Sequence, residues 1–304
     1  MIFRMTAITA AIALTAACSS EQSEKREAAR EYYRSTNTVI PASQEITNFP
    51  APVRAKASRT AANPERNAYF GDLHVHTTFS FDASAFGTTA TLADAYRYAQ
   101  GEALVHPSGF EVQLAQALDF YAVTDHALFL GLINEAADTR TAFSQYALSE
   151  PYHDINESVD GGLFDLAKRS SVFDNFISDV VAALLDGTLD NTVVNNISQS
   201  AWAQTVQAAN DAYQPGSFTT FAAYEYTSST TEREALHRNV IFRGSQRLPA
   251  QPFSKLNSAN PEGLWKWMDS MRDQGVESLA IPYNSNGSNG AMFAFIDWTG
   301  NAID

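Results

Sequence analysis

Residues 69–83 read YFGDLHVHTTFSFDA, and residues 118–127 read LDFYAVTDHA. In both, a brief apolar run breaks off into histidine and aspartate. That is the pattern of a strand covered on both faces with polar groups at its end. The two stretches predict strands over Ala68–His74 and Leu118–Thr124. Three more runs of this kind lie downstream, at Phe218–Tyr224, Asn239–Phe242 and Ser278–Pro282. Helical patterns separate several of them. Thr91–Gln100 opens with Thr91 and Asp94 at capping-box spacing. Leu163–Leu185 repeats apolar residues at helical intervals. Asn196–Tyr213 and Pro261–Arg272 complete the set, the latter with proline at a favoured first-turn position. Strands alternating with helices predict an α/β fold with a largely parallel sheet. Residues 127–216 are a long excursion between the second and third strands and read as a helical insertion able to roof a site.

Composition narrows the function classes. The 304 residues carry 20 Lys and Arg against 34 Asp and Glu, a formal net charge of −14, which argues against nucleic acid as a partner. Hydrophobic residues make up 45%, enough for a sizeable core. No internal apolar run reaches the roughly 18 residues of a membrane-spanning helix. The single cysteine, Cys18, excludes an intramolecular disulfide and a cysteine-rich zinc module. Before it, Arg4 precedes a short apolar stretch over 5–17, the shape of a secretory signal. Leu14, Thr15, Ala16, Ala17 and Cys18 together resemble a bacterial lipoprotein signal, although Thr15 is uncommon at its place. The resemblance implies cleavage before Cys18, lipid on its sulfur and anchoring on a membrane surface. Ser19 then points to the outer membrane, with the mature chain facing the periplasm or the exterior. The alternative is an ordinary signal peptide with an incidental cysteine. Within 18–66, residues 19–35 are polar, able to form a loose helix but without a wide apolar stripe, and read as a tether, and 36–66, with four prolines, as an extended lead-in on the domain or in solvent. The folded domain is expected over 67–304.

Chemistry gathers at the predicted strand ends. His74 and His76 are two apart, so on a strand both imidazoles point to one side and can converge on an ion. The second run ends on Asp125 and His126, and an aromatic run, FTTFAAYEYTS, carries Glu225 at its close. His237 opens the run LHRNVIF. Singly, each has an ordinary alternative: a chance His-x-His, a solvated turn, a surface carboxylate, a core or capping histidine. Jointly they point to a site, because function in α/β folds collects at the carboxyl ends of parallel strands. Neutral imidazole with carboxylate suits zinc, manganese or iron better than calcium. Asp125 is a candidate catalytic carboxylate, or else a group that orients a ligand from behind. His106 and His153 belong to no motif and read as surface or loop residues. Arg238 reads as a structural pair, Trp265 and Trp267 as packing residues of a helix, and Asn284, Asn286 and Asn289 as a turn or substrate contacts. No Gly-rich phosphate loop and no GxSxG elbow occurs.

The ordered strings YFGDLHVHTTFSFDA, LADAYRYAQGE, ALDFYAVTDHA, YEYTS, LHRNVIF and IPYNSNGSNG resemble the domain-of-unknown-function 3604 family, within the polymerase-and-histidinol-phosphatase (PHP) superfamily. The resemblance spans roughly residues 67–304. It implies a distorted β/α barrel holding two or three divalent metal ions. By that resemblance His74, His76, His126, Glu225 and His237 are metal ligands, and Asp82 is an acidic position of less defined role. Two departures stand out. The family places histidine in the string Ile-Pro-His-Asn, where this chain has Tyr283 followed by Asn284. Tyrosine, protonated at neutral pH, is a poor ligand for zinc or manganese. The superfamily's closing Asp-x-His also has no match before Asp304. Family members run longer, so the expectation is a fragment or truncated product with a partial barrel. The expected function is a metal-dependent hydrolase acting on a small ester, with phosphoester suggested by the resemblance alone. The alternative is a lipoprotein that binds metal or ligand without catalysis. Oligomeric state is not legible in the sequence.

Overall fold

Apolar runs that end in polar groups form the strands, and the computed structural model describes them within residues 21–32, 39–52, 67–157, 163–229, 235–295 and 302. Cys18 and the signal over 1–17 lie outside the described residues, so the lipidation reading is not addressed by the structure. Residues 21–32 form helix α1, and the lead-in contributes strand β1 (Ile46–Asn48). The domain continues through β2 (Gly71–Asp72), α2 (Phe81–Ala85), α3 (Leu92–Ala99), the hairpin strands β3 (Leu104–Val105) and β4 (Glu111–Val112), and β5 (Phe120–Tyr121). A helical stretch follows with α4 (Leu132–Ala137), α5 (Leu163–Leu185) and α6 (Asn191–Ala212). The chain then forms β6 (Thr219–Thr220), β7 (Ala223–Tyr226), β8 (Arg238–Phe242), β9 (Arg247–Pro249), α7 (Pro261–Asp273) and β10 (Ser278–Pro282).

The expected strands are present with changed ends: the first two shrink to Gly71–Asp72 and Phe120–Tyr121, the third divides into β6 and β7 with β7 running on to Tyr226, β8 gains Arg238 at its start, and β10 matches its expected bounds. Beyond Asp72 the backbone turns from ladder bonds to side chains: His74 N–H donates to Asp72 Oδ1 and Val75 N–H to Thr124 Oγ1. Gly71 is required where it stands. A Cβ there would lie 2.2 Å from the Phe120 carbonyl oxygen and 2.4 Å from its ring. Strand β5 pairs in parallel with β2 and β6. A parallel bridge between His126 and Glu225 carries the same alignment on to β7. Strand β8 is antiparallel to both β7 and β10. The largely parallel sheet of the sequence reading therefore contains one reversed strand, β8. The link from β7 to β8 holds no described helix, so the chain returns alongside its predecessor instead of crossing over. Among the described residues the strands do not close into a barrel, and the fold is mixed α/β with small open sheets. The outer strand β10 leaves Leu279 and Ile281 exposed.

Helix predictions held closely for α3, α5 and α7. Both halves of the Thr91–Asp94 capping box form. Helix α6 begins five residues before the predicted start, capped by Asp190, whose side chain accepts Thr192 N–H. Its first turn, NTVVN, is poor in helix formers, and the cap supplies what propensity lacks. Trp202, Val206 and Ala201 of α6 pack with Tyr224, Tyr226, Val240 and Phe242 of the sheet and with Leu264, Trp267 and Met271 of α7. The last part of the 127–216 excursion thus covers the sheet, while α4 and α5 build a separate core with α2.

Residues 21–32 form the helix that the tether reading allowed, but α1 is docked and not loose. Ala29 is fully buried, and Arg26 clamps Asp179 of α5 through Nε–Oδ1 at 2.5 Å and Nη2–Oδ2 at 2.9 Å. No apolar stripe is needed for such docking, which is why the polar sequence concealed it. The described part of the lead-in, residues 39–52, lies on the domain: β1 pairs with β9, and Trp267 Nε1–H donates to the Ser43 carbonyl at 3.0 Å.

Candidate metal centre

Alternation along the strands builds the centre. Thr124 and His126 share one side of their segment, Glu225 and Thr227 one side of β7 and its extension, and His237 and Asn239 one side of β8 and its approach. Because β8 runs against its neighbours, the start of that strand meets the carboxyl ends of the others. His237 therefore joins His126 and Glu225 at one rim. Glu225 is fully buried and stands at the centre. Its Oε1 lies 2.6 Å from His237 Nδ1 and 3.0 Å from His126 Nδ1, and its Oε2 lies 3.1 Å from His76 Nε2 and 3.7 Å from His74 Nε2. Asp82, near the start of α2, places Oδ2 3.1 Å from His126 Nε2. The structure brings together His74, His76, Asp82, His126, Glu225 and His237.

A surrounding layer fixes these groups. Asp125 is buried, and its carboxylate accepts Thr77 N–H and Thr77 Oγ1–H, each at 2.6 Å. Both of its oxygens are thereby engaged, and they tie the end of this strand to the loop that carries His76. Ser80 Oγ lies 2.7 Å from His76 Nδ1 and accepts His126 N–H at 2.9 Å. Thr227 Oγ1 lies 2.5 Å from His126 Nδ1. The ring of Phe81 stacks on His126 with centroids 4.8 Å apart. The sequence reading did not single out Thr77, Ser80, Phe81 or Thr227. For Thr227 the signal was available, since it follows Glu225 by two on the same side.

The charges are strongly coupled. Burial pushes the Glu225 carboxyl up, but His126, His237 and His76 outweigh it and hold the group well below its ordinary range. Burial also opposes ionisation of Asp82, and His126 again wins, leaving it lowered. His126 is raised to about 10, since Glu225 and Asp82 overcome the burial that would lower it. His74 is lowered by burial and then by His76. Burial raises Asp125 against the pull of the Thr77 donors.

The residues fit a divalent ion. Glu225 Oε2 is buried and makes no hydrogen bond by strict geometry, although His76 Nε2 stands 3.1 Å away. A buried carboxylate oxygen left bare is costly unless a cation meets it. Three overlapping groups have ligand atoms within 4.8 Å of one another: His74, His76 and Glu225; His76, Asp82 and His126; His126, Glu225 and His237. All donors are nitrogen or oxygen, a set suited to zinc, manganese or iron. Tyr283 sits against this cluster, its ring 3.9 Å from that of His74 and its hydroxyl 3.4 Å from His237 Nδ1. Burial and then Glu225 drive its pKa up, so it stays a neutral phenol.

Other candidates lie elsewhere. Asn284 is exposed in a left-handed turn, and its carbonyl accepts Gly287 N–H, which matches the turn reading. His106 stacks on Phe110, and His153 Nε2 contacts the Ser144 carbonyl at 2.9 Å. Arg238 is buried, bonds the Leu236 carbonyl and lies over Trp265, as a structural residue would.

A mixed α/β chain with a buried His, Glu and Asp cluster of this form belongs to the class of candidate metalloproteins. Residues 63–304 match the family described as Protein of unknown function (DUF3604), and the chain belongs to that family. No curated protein and no solved structure matches it.

Proposed function

We propose that this chain is a metal-dependent hydrolase of the PHP type, acting on a small ester that is a phosphoester by analogy with that superfamily. The observation that carries the reading is the buried, bare Glu225 Oε2 ringed by histidines. A divalent ion bound there supplies a water acidified to near neutrality and a Lewis acid for the scissile group. Glu225 offers both oxygens and so suits a bridging role, and three overlapping ligand groups suit two or three ions. His74 is the most exposed of the cluster and faces an incoming substrate. Thr77, Asp125, Ser80 and Thr227 hold the rings in place. Lipidation at Cys18, with attachment to the outer membrane, is part of the same proposal and rests on the sequence alone.

Tyr283 favours a second reading, in which the chain binds metal without turnover, because a neutral phenol lies against His74 and His237. A metal titration followed by a phosphomonoester and phosphodiester screen with manganese or zinc separates the two. Under the hydrolase reading, His74→Ala and His126→Ala each lower metal affinity by about a hundredfold or more and abolish turnover. Full activity in either variant would sink it, and tight metal binding without any turnover in the unmodified chain would favour the second reading.

A further inference from the structure

The geometry points to a subsite for an uncharged aromatic or apolar group of the substrate, in the cleft between the α2–α3 turn and the β3–β4 hairpin. This inference deepens the hydrolase reading and rests on it. The cleft has a volume of about 460 Å³; Phe86, Leu104, Val105, Pro107 and Val112 form the apolar part of its wall, beside His106 and the Asp94–Arg97 pair. Its size suits an organic ligand of moderate bulk. Phe86 is 52% exposed and Val105 67% exposed, so their apolar surfaces face the opening.

Three observations tie the cleft to the metal centre. The first is helical register. Phe86 follows Asp82 by four residues, and Phe86 N–H donates to the Asp82 carbonyl at 2.9 Å, closing the turn between them. Residues so spaced stand one above the other, with Cβ atoms about 5–6 Å apart. A molecule whose polar end meets an ion at Asp82 can therefore lay its apolar end on Phe86. The second is a continuous file of rings. His126 stacks on Phe81 at 4.8 Å, Phe81 on Phe173 at 6.1 Å, and Phe173 packs on Phe86 at 5.3 Å. Ring packing, through the buried Phe81, thus joins a candidate ligand to one wall of the cleft. The third is charge. Arg97, on the cleft wall, is paired with Asp94 at 3.4 Å and with Glu102 at 3.0 Å. Its charge is compensated, so the cleft selects a neutral group and not a second anion.

The test uses the full chain loaded with manganese, and two probes, phenylphosphonate and methylphosphonate, titrated by calorimetry. The unmodified chain should bind the phenyl probe about tenfold or more tightly, the preference expected when one ring leaves water. Phe86→Ser and Val105→Asp, both at exposed positions, should each bring the ratio close to one while manganese stoichiometry stays the same. Equal binding of the two probes by the unmodified chain would overturn the inference, as would a ratio that survives both substitutions. A chain that takes up no manganese overturns the hydrolase reading and this inference together. Manganese uptake without phenyl preference overturns only the inference.

Discussion

Both oxygens of Asp125 are taken by Thr77, one by its N–H and one by its hydroxyl, in a site closed to water. A proton taken up by this carboxylate would weaken the bonds that hold the loop carrying His76. Its contribution should therefore appear in metal affinity and stability. Asp125→Ala leaves two buried donors unmatched and should cost about 2 kcal/mol or more. It should also weaken metal binding about tenfold to a hundredfold, as removing an orienting partner does. Asp125→Asn can still accept Thr77 N–H and can donate to Thr77 Oγ1, so it should recover most of that affinity. Denaturant unfolding and calorimetric titration read both effects. An asparagine variant with full metal affinity and no turnover would instead place Asp125 at the reacting atoms. The position was legible in the motif, because a strand ran straight into it. The role was not, since it depends on a partner 48 residues upstream whose side chain carries no pattern of its own.

Among the elements, β8 shows why the ligand set was readable before its geometry was. His237 stood at a strand start, which in an all-parallel sheet would put it at the wrong rim. Reversal of β8 brings it to Glu225, and period-two alternation does not disclose strand direction. Helix α1 shows the opposite case, a segment whose attachment left almost no trace in hydrophobic pattern. Its anchor is Arg26 on Asp179, which also accepts the Tyr152 hydroxyl at 2.5 Å. Asp179 is nearly enclosed, with side-chain exposure of 8%. Arg26→Met should therefore destabilise the chain by about 2 kcal/mol, mostly through the carboxylate left without its cation. Adding Asp179→Asn should restore part of the loss, since the amide oxygen still meets Tyr152. The measurement is a double-mutant cycle in denaturant. A change within about 0.5 kcal/mol for Arg26→Met would mean that α1 does not depend on this clamp.

At the scale of the whole molecule, the metal centre couples folding, protons and ions. In the metal-free chain the raised His126 adds stability that is fully present below 6.5 and is lost as pH climbs through about 10. Asp82 and Glu225, held below 3.8 and 4.5, add stability that is present above those values and is lost on acidification through their lowered folded values. His74, lowered from 6.5, works on the acid side too, since its protonation below that value favours unfolding. Thermal stability of the metal-free chain should thus decline on the alkaline side of 6.5. An ion entering the cluster must displace the proton from His126, so affinity for manganese or zinc should rise with pH over that same range. At pH 7 the binding enthalpy, measured in buffers of differing ionisation enthalpy, should reveal release of about one proton per chain. Loading the metal should also remove the alkaline decline, because the ion then neutralises Glu225 and Asp82 in the proton's stead. An enthalpy that is the same in every buffer would mean that His126 is already neutral before the ion arrives. The two carboxylates would then face the metal with no proton held between them.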